Sequence, residues 1–209
     1  MTDGRLARGQ RTKNIVLDTA VGLATEAGLD GLTLSQLADR LGVSKSGLFA
    51  HWRSKEELQL ATIERAREQF AELVAAPALK APRGVRRLWA LHEAKLAYIQ
   101  HVELPGGCFF TNTQFEYDAR VGPIRDRLAE VLTEWLRLIQ RLATEAVDNG
   151  ELHAGTDAQA LAFELNAYAT EAVHQSKLMP DLDVLALSRA VALRRLRALC
   201  TDPSLLPKE

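Results

Sequence analysis

Lys45, Ser46 and Gly47 form the first turn of a short helix that Ser44 is placed to cap. Small polar and basic side chains at such a helix start suit the major groove, because nothing bulky blocks the approach to base edges and phosphates. Thr33 and Ser54 open two neighbouring helices. The free N–H groups there are themselves phosphate-binding features, so Thr33 is expected close to the backbone of a duplex. Arg5, Arg8 and Arg11 precede all of these and read as a flexible basic arm able to enter a minor groove.

Other chemistries lack their residues. His92-Glu-Ala-Lys-Leu96 has Leu96 where the zinc-protease pattern needs its second histidine, so no metal site is expected. Cys108 and Cys200 are far apart, with no metal-binding spacing, and suit a reducing cytoplasm. Cys108 reads as a small buried side chain. No Ser/His/Asp arrangement or phosphate loop stands out, so neither catalytic residues nor a cofactor are expected. No apolar run approaches the roughly 20 residues of a membrane span, and the charged N-terminus does not resemble a signal peptide.

The elements positioning Lys45 are legible. Thr33 and Gln36 form a capping box, Leu34, Leu37, Ala38 and Leu41 give the next helix one apolar face, and Gly42 permits a sharp stop. An earlier helix from about Thr12 to Ala27, closed by Gly28, would cover this pair. Ser54 and Glu57 open a long helix to about Val74, with Pro77 and Pro82 ending it. Helices are then expected over about 83–101, 108–117, 123–149, 156–178 and 182–200, the fourth of these opened by Thr156 with Gln159. No segment alternates as a strand does, so the chain is predicted to be all-α. A DNA-binding domain over 1–55, with its helix-turn-helix at about 32–51, would precede a ligand-binding and dimerisation domain over 56–209.

Charge supports this division. The net charge of the whole chain is −1. Through Lys55, however, the eight cations Arg5, Arg8, Arg11, Lys13, Arg40, Lys45, Arg53 and Lys55 face the five anions Asp3, Asp18, Glu26, Asp30 and Asp39. Only one end is basic, as expected when only one end meets phosphates.

The segment from about Thr12 to Lys55 closely resembles the N-terminal domain of TetR-type transcriptional regulators. The matching features are Ala20, Gly28, Thr33-Leu-Ser-Gln-Leu-Ala38, Leu41-Gly-Val-Ser44, Leu48-Phe-Ala-His51 and Ser54-Lys-Glu-Glu-Leu58. The resemblance implies that His51 and Lys55 contact the DNA backbone. It also marks a departure: Phe49 stands where the family usually has a phosphate-binding tyrosine, so that hydroxyl is missing. The order from Gly106-Gly-Cys-Phe-Phe110 through Gly122-Pro-Ile-Arg-Asp126 resembles the C-terminal domain of one TetR subgroup.

Control and assembly follow as expectations. Phe109, Phe110 and Phe115 with Asn112, together with Trp89, His92, Trp135 and Asn166, could line a cavity for a small apolar or amphipathic effector. The same rings at helical spacing would also serve as plain core. Ala162, Ala169 and Val173, with Leu185, Ala192, Leu196 and Leu199, form stripes that suit close helix approach. The resemblance implies that these two helices pair with their copies in a homodimer; alternatively the stripes face the core of one chain. Two-fold pairing would let the protein read a palindromic double-stranded operator. The expected protein is a dimeric operator-binding regulator, a repressor released by that effector, with a constitutive or partner-controlled binder of the same fold, or a helical enzyme, as the alternatives.

Overall fold

A computed structural model describes the backbone of residues 3–49, 51–101 and 104–208, and the side chains of those stretches except residues 3–10, 49 and 101. Helices run α1 (Asp3–Ala27), α2 (Leu34–Leu41), α3 (Lys45–Phe49), α4 (Lys55–Phe70), a π-helical turn (Ala71–Ala75), α5 (Ala76–Leu79), α6 (Val85–His101), α7 (Phe109–Tyr117), α8 (Pro123–Asp148), α9 (Ala158–Leu178) and α10 (Val184–Leu199). There is no strand among the described residues, and Leu152 and Cys200 form one isolated antiparallel bridge.

Three local expectations need correction. The segment carrying Arg5, Arg8 and Arg11 is not a flexible arm but the first turns of α1, which starts at Asp3. Leu6, Ala7, Arg8, Gln10 and Arg11 favour helix, and no cap intervenes at Thr12. The side chains of Arg5 and Arg8 lie outside the described residues. Pro77 does not end a helix but sits in the first turn of α5, where its missing N–H costs nothing. Asp157, not Thr156, caps α9: its carboxylate accepts from the N–H groups of Gln159 and Ala160 at 2.9 and 3.0 Å. The Thr156 hydroxyl is buried and has no hydrogen-bond partner among the described residues.

The chain divides into two compact units: residues 1–69 with 103–130, and residues 70–102 with 131–209. The first therefore extends past the boundary expected at Lys55 and takes in α7. Its core joins Val16, Ala20, Val21 and Ala24 of α1 to Leu34 and Leu37 of α2, Leu48 of α3, and Leu58 and Ile63 of α4, with Trp52 and Phe109 fully buried. Arg65 of α4 bridges Asp18 of α1 at 2.6 Å, and Gln69 reaches the same carboxylate at 2.7 Å. In the second unit Leu96 of α6 packs with Ala169 and Ala172 of α9 and Val184 and Leu185 of α10.

The turn between α1 and α2 is held by α7. The Glu116 carboxylate accepts from the N–H groups of Leu29 and Asp30, both at 2.8 Å. Gly28 turns there at φ +79°, and a Cβ on it would lie 2.9 Å from Glu116 Oε1. The backbone angle therefore favours glycine, and a Cβ would also displace the Glu116 carboxylate from its two amides. Gln59 of α4 donates to the Leu29 carbonyl at 2.7 Å and to the Tyr117 hydroxyl at 3.2 Å. Asn112 donates to the Gly106 carbonyl at 2.9 Å, and the Gly106 N–H donates to Thr25 Oγ1 at 3.2 Å. In Glu116→Gln one oxygen becomes an NH₂ group facing a backbone N–H. We expect a loss of about 1–3 kcal/mol in denaturant unfolding, with faster amide exchange confined to Leu29 and Asp30. Unchanged exchange at both amides would contradict this role.

Candidate nucleic-acid interface

The helix-turn-helix is built by its caps. Thr33 Oγ1 accepts from the Gln36 N–H at 3.2 Å, and the Thr33 N–H donates to Gln36 Oε1 at 3.0 Å, so both halves of the capping box form. Gly42 ends α2 in the left-handed conformation at φ +65°. Ser44 Oγ accepts weakly from the Gly47 N–H, at 3.4 Å. Leu48 is buried on the inner side of α3, leaving Ser44, Lys45, Ser46 and Gly47 exposed. No hydrogen bond or ion pair ties Lys45 to any described residue. An added Cβ on Gly47 would meet only Ser44 Oγ, at 3.5 Å. The fold therefore gives no steric reason for a glycine that costs a helix about 1 kcal/mol relative to alanine.

Around this face, His51 is exposed, its ring tilted against that of the buried Trp52. Ser54 Oγ accepts from the Glu57 N–H at 3.0 Å, while the Glu57 carboxylate takes the Arg53 N–H at 2.7 Å. Lys55 is exposed, but its ammonium donates to the Asp30 carbonyl and lies 3.4 Å from the Asp30 carboxylate. Arg120 reaches the other Asp30 oxygen at 3.2 Å, and this guanidinium, first among the causes, lowers the Asp30 pKa. Arg11 is exposed on α1. The Phe49 side chain lies outside the described residues.

The residues expected around an effector fall into two groups. His92, Trp135 and Asn166 line a cavity in the second unit with Leu88, Leu91 and Lys95. Trp89 stacks on His92 with centroids 5.9 Å apart. Phe109, Phe110, Asn112 and Phe115 belong to the first unit and do not line this cavity. Phe109 is core, Asn112 braces Gly106, and Phe115 is 58% exposed, because the capping role of Glu116 fixes which way α7 faces. Lys95 was missed in sequence. Its buried ammonium donates to Asn166 Oδ1 at 3.1 Å and Thr170 Oγ1 at 3.0 Å and lies 5.5 Å from the Trp135 ring centre. Trp135 Nε1–H donates to the same Asn166 oxygen at 2.9 Å. The signal was a lysine one turn after His92 on an otherwise apolar helix face.

The stripes expected at a dimer interface are corrected. Ala162, Ala169, Val173, Leu185, Ala192 and Leu196 are buried within the chain itself, and Leu199 is half-buried. Small residues let α9 and α10 approach each other, and that contact consumes them. The large apolar residues exposed on these helices are Phe163 and Leu178, each 70% exposed, and Leu187.

His92 is buried, and the Ser188 hydroxyl, 3.4 Å from Nε2, itself donates to the Tyr168 carbonyl at 3.0 Å. The Ser188 oxygen thus accepts from Nε2–H. Burial first, then the Lys95 and Arg189 charges, lowers the His92 pKa to about 4. The unfolded chain takes up this proton near the ordinary 6.5, before the folded chain does. The stability held in neutral His92 is therefore complete above pH 6.5 and is lost as the pH falls towards 4, by up to about 3 kcal/mol. Urea unfolding across that window should show this slope, and His92→Gln should flatten it. An equal slope in the variant would assign the titration elsewhere.

Comparison with known proteins places these geometries in a family. The profile of bacterial regulatory proteins of the tetR family matches residues 16–62, and that of the tetracyclin repressor-like C-terminal domain matches residues 84–191. The HTH-type transcriptional regulator SrpR of Pseudomonas putida is 25% identical over 154 residues, covering 73% of this chain and 69% of SrpR. A TetR transcriptional regulator from Chloroflexus aurantiacus has a solved structure with a TM-score of 0.85 and 26% identity, covering 93% of this chain and 98% of that one. The structure of FadR from Bacillus subtilis in complex with stearoyl-CoA shares the fold, with a TM-score of 0.70 and 20% identity over 89% of this chain and 96% of that one. With its second profile spanning more than half of its length, the chain belongs to the TetR family of transcriptional regulators and is not an enzyme.

Proposed function

We propose that this regulator binds a palindromic DNA operator as a homodimer, acts as a repressor, and is released by a small apolar or amphipathic effector held in the second unit. The observation that carries the DNA reading is the start of α3: Lys45 has no hydrogen-bond or ion partner among the described residues, and Gly47 is a glycine the fold does not require. A duplex supplies both reasons, a phosphate or base edge for Lys45 and close backbone approach at Gly47. Thr33, Ser44, Ser46, His51 and Lys55 flank this turn in the same compact unit. Contact by Lys55 requires it to exchange Asp30 for a phosphate, and Arg120 stays with the Asp30 carboxylate when it does.

Dimer formation fits the large apolar side chains that α9 and α10 leave exposed, Phe163, Leu178 and Leu187. Exposed large apolar side chains are what an obligate interface covers. The effector reading rests on the cavity beside His92, Lys95, Trp135 and Asn166, an apolar space with a few convergent polar groups. Its volume is about 10 Å³, the space of one water molecule. An effector must therefore part these side chains to enter, which makes binding and rearrangement one event. The same small volume favours the second reading, a regulator of this fold that acts without an inducer.

The DNA reading is tested by two substitutions. Gly47→Ala should raise stability by about 0.5–1 kcal/mol while weakening operator binding at least about tenfold. Lys45→Ala should leave the Tm unchanged and reduce the salt dependence of binding by about one phosphate contact. Full operator affinity in both variants would overturn this placement of the recognition turn.

A further inference from the structure

Apart from the helix-turn-helix and the buried cavity, the second unit carries a surface cleft of about 540 Å³, lined by Arg83 just before α6 and by residues 137–149 of α8 and its C-terminal end. Residues 137, 140, 141 and 144 lie three and four apart and share one helical face. They are Arg137, Gln140, Arg141 and Thr144, on a different face of α8 from Trp135 and Ile139, which line the buried cavity.

The charges are unevenly satisfied. Arg83 pairs with Glu145, and Arg87 reaches the other oxygen of that carboxylate at 3.8 Å. Arg137 and Arg141 are both exposed, and neither has a hydrogen-bond or ion partner among the described residues. Like charges four residues apart repel and weaken a helix. A bound oxyanion would reverse the sign of that interaction.

The arrangement selects the anion. One guanidinium fork engages both oxygens of a carboxylate, whereas a phosphoryl group, with more oxygens and more charge, is better matched to two forks. Gln140, between the two arginines, and Thr144, one turn beyond Gln140, add neutral donors. The cleft falls within the range that holds a small organic molecule and is far larger than a bare phosphate. Exposed Asp148, with Asn149 beside it, disfavours a second anion there and suits a hydroxyl or amine. We propose that this cleft binds a phosphorylated small molecule, with Arg137 and Arg141 gripping the phosphoryl oxygens.

The full chain is titrated with pyrophosphate at low ionic strength, followed by calorimetry and by the arginine side-chain N–H signals in NMR. Saturable binding is expected, with shifts at Arg137 and Arg141. Affinity should fall at least about tenfold in Arg137→Gln/Arg141→Gln and stay unchanged in Arg194→Gln, an exposed arginine of α10. The double variant should keep or raise the Tm. If it does not fold, Arg141→Lys, which keeps the charge and loses the fork, is expected to weaken binding in the same direction. Absence of saturable binding overturns the proposal. So does binding retained in the arginine variants, which would place the anion elsewhere, such as at the helix-turn-helix. Equal binding of succinate would reduce the cleft to a non-selective cationic surface and also overturn it.

Discussion

The DNA-reading head depends on one carboxylate. Glu116 holds two consecutive backbone N–H groups at the turn where α1 gives way to α2, and the glycine before them leaves room for nothing but that carboxylate. Charge-assisted bonds to backbone amides are among the stronger hydrogen bonds a fold can use. The turn they fix leads directly into the capping box of α2, then through the left-handed Gly42 into α3. The orientation of Lys45, Ser46 and Gly47 thus rests on a helix more than sixty positions later in the chain. Arg120, just after α7, and Lys55, at the start of α4, share Asp30 at the same turn.

Local chemistry was legible where it concerned neighbours in sequence. Thr33 and Gln36 form their box as expected, Gly42 takes the left-handed conformation, and the all-helical class follows from periodicity. Elements whose position depends on distant partners were not legible. Nothing in Phe109-Phe-Thr-Asn-Thr-Gln-Phe115 says that α7 belongs with the helix-turn-helix, because its ties run from Asn112 to the Thr25 carbonyl and from Glu116 to the N–H groups of Leu29 and Asp30. Thr156 matched a capping pattern, but Asp157 one position later offers the better acceptor and took the helix start.

The small-residue stripes on α9 and α10 failed for a different reason. Close packing within one chain and close packing between two chains require the same residues, so composition cannot tell inside from outside. Exposure decides: the small side chains went inward and Phe163, Leu178 and Leu187 outward. Lys95 has the converse lesson. A charged residue on an apolar helix face looks like an interruption in sequence, yet in the fold it is the hub joining Asn166, Thr170 and the Trp135 ring. Lys95, Asn166 and Trp135 of that hub line the cavity.

Footprinting on the DNA immediately flanking the gene of this protein tests the operator-reading account most directly. The account predicts two protected half-sites related by two-fold symmetry, their centres separated by about 34 Å or a multiple of it along the duplex. Uniform protection without boundaries, or a single protected half-site at saturating protein, would contradict it.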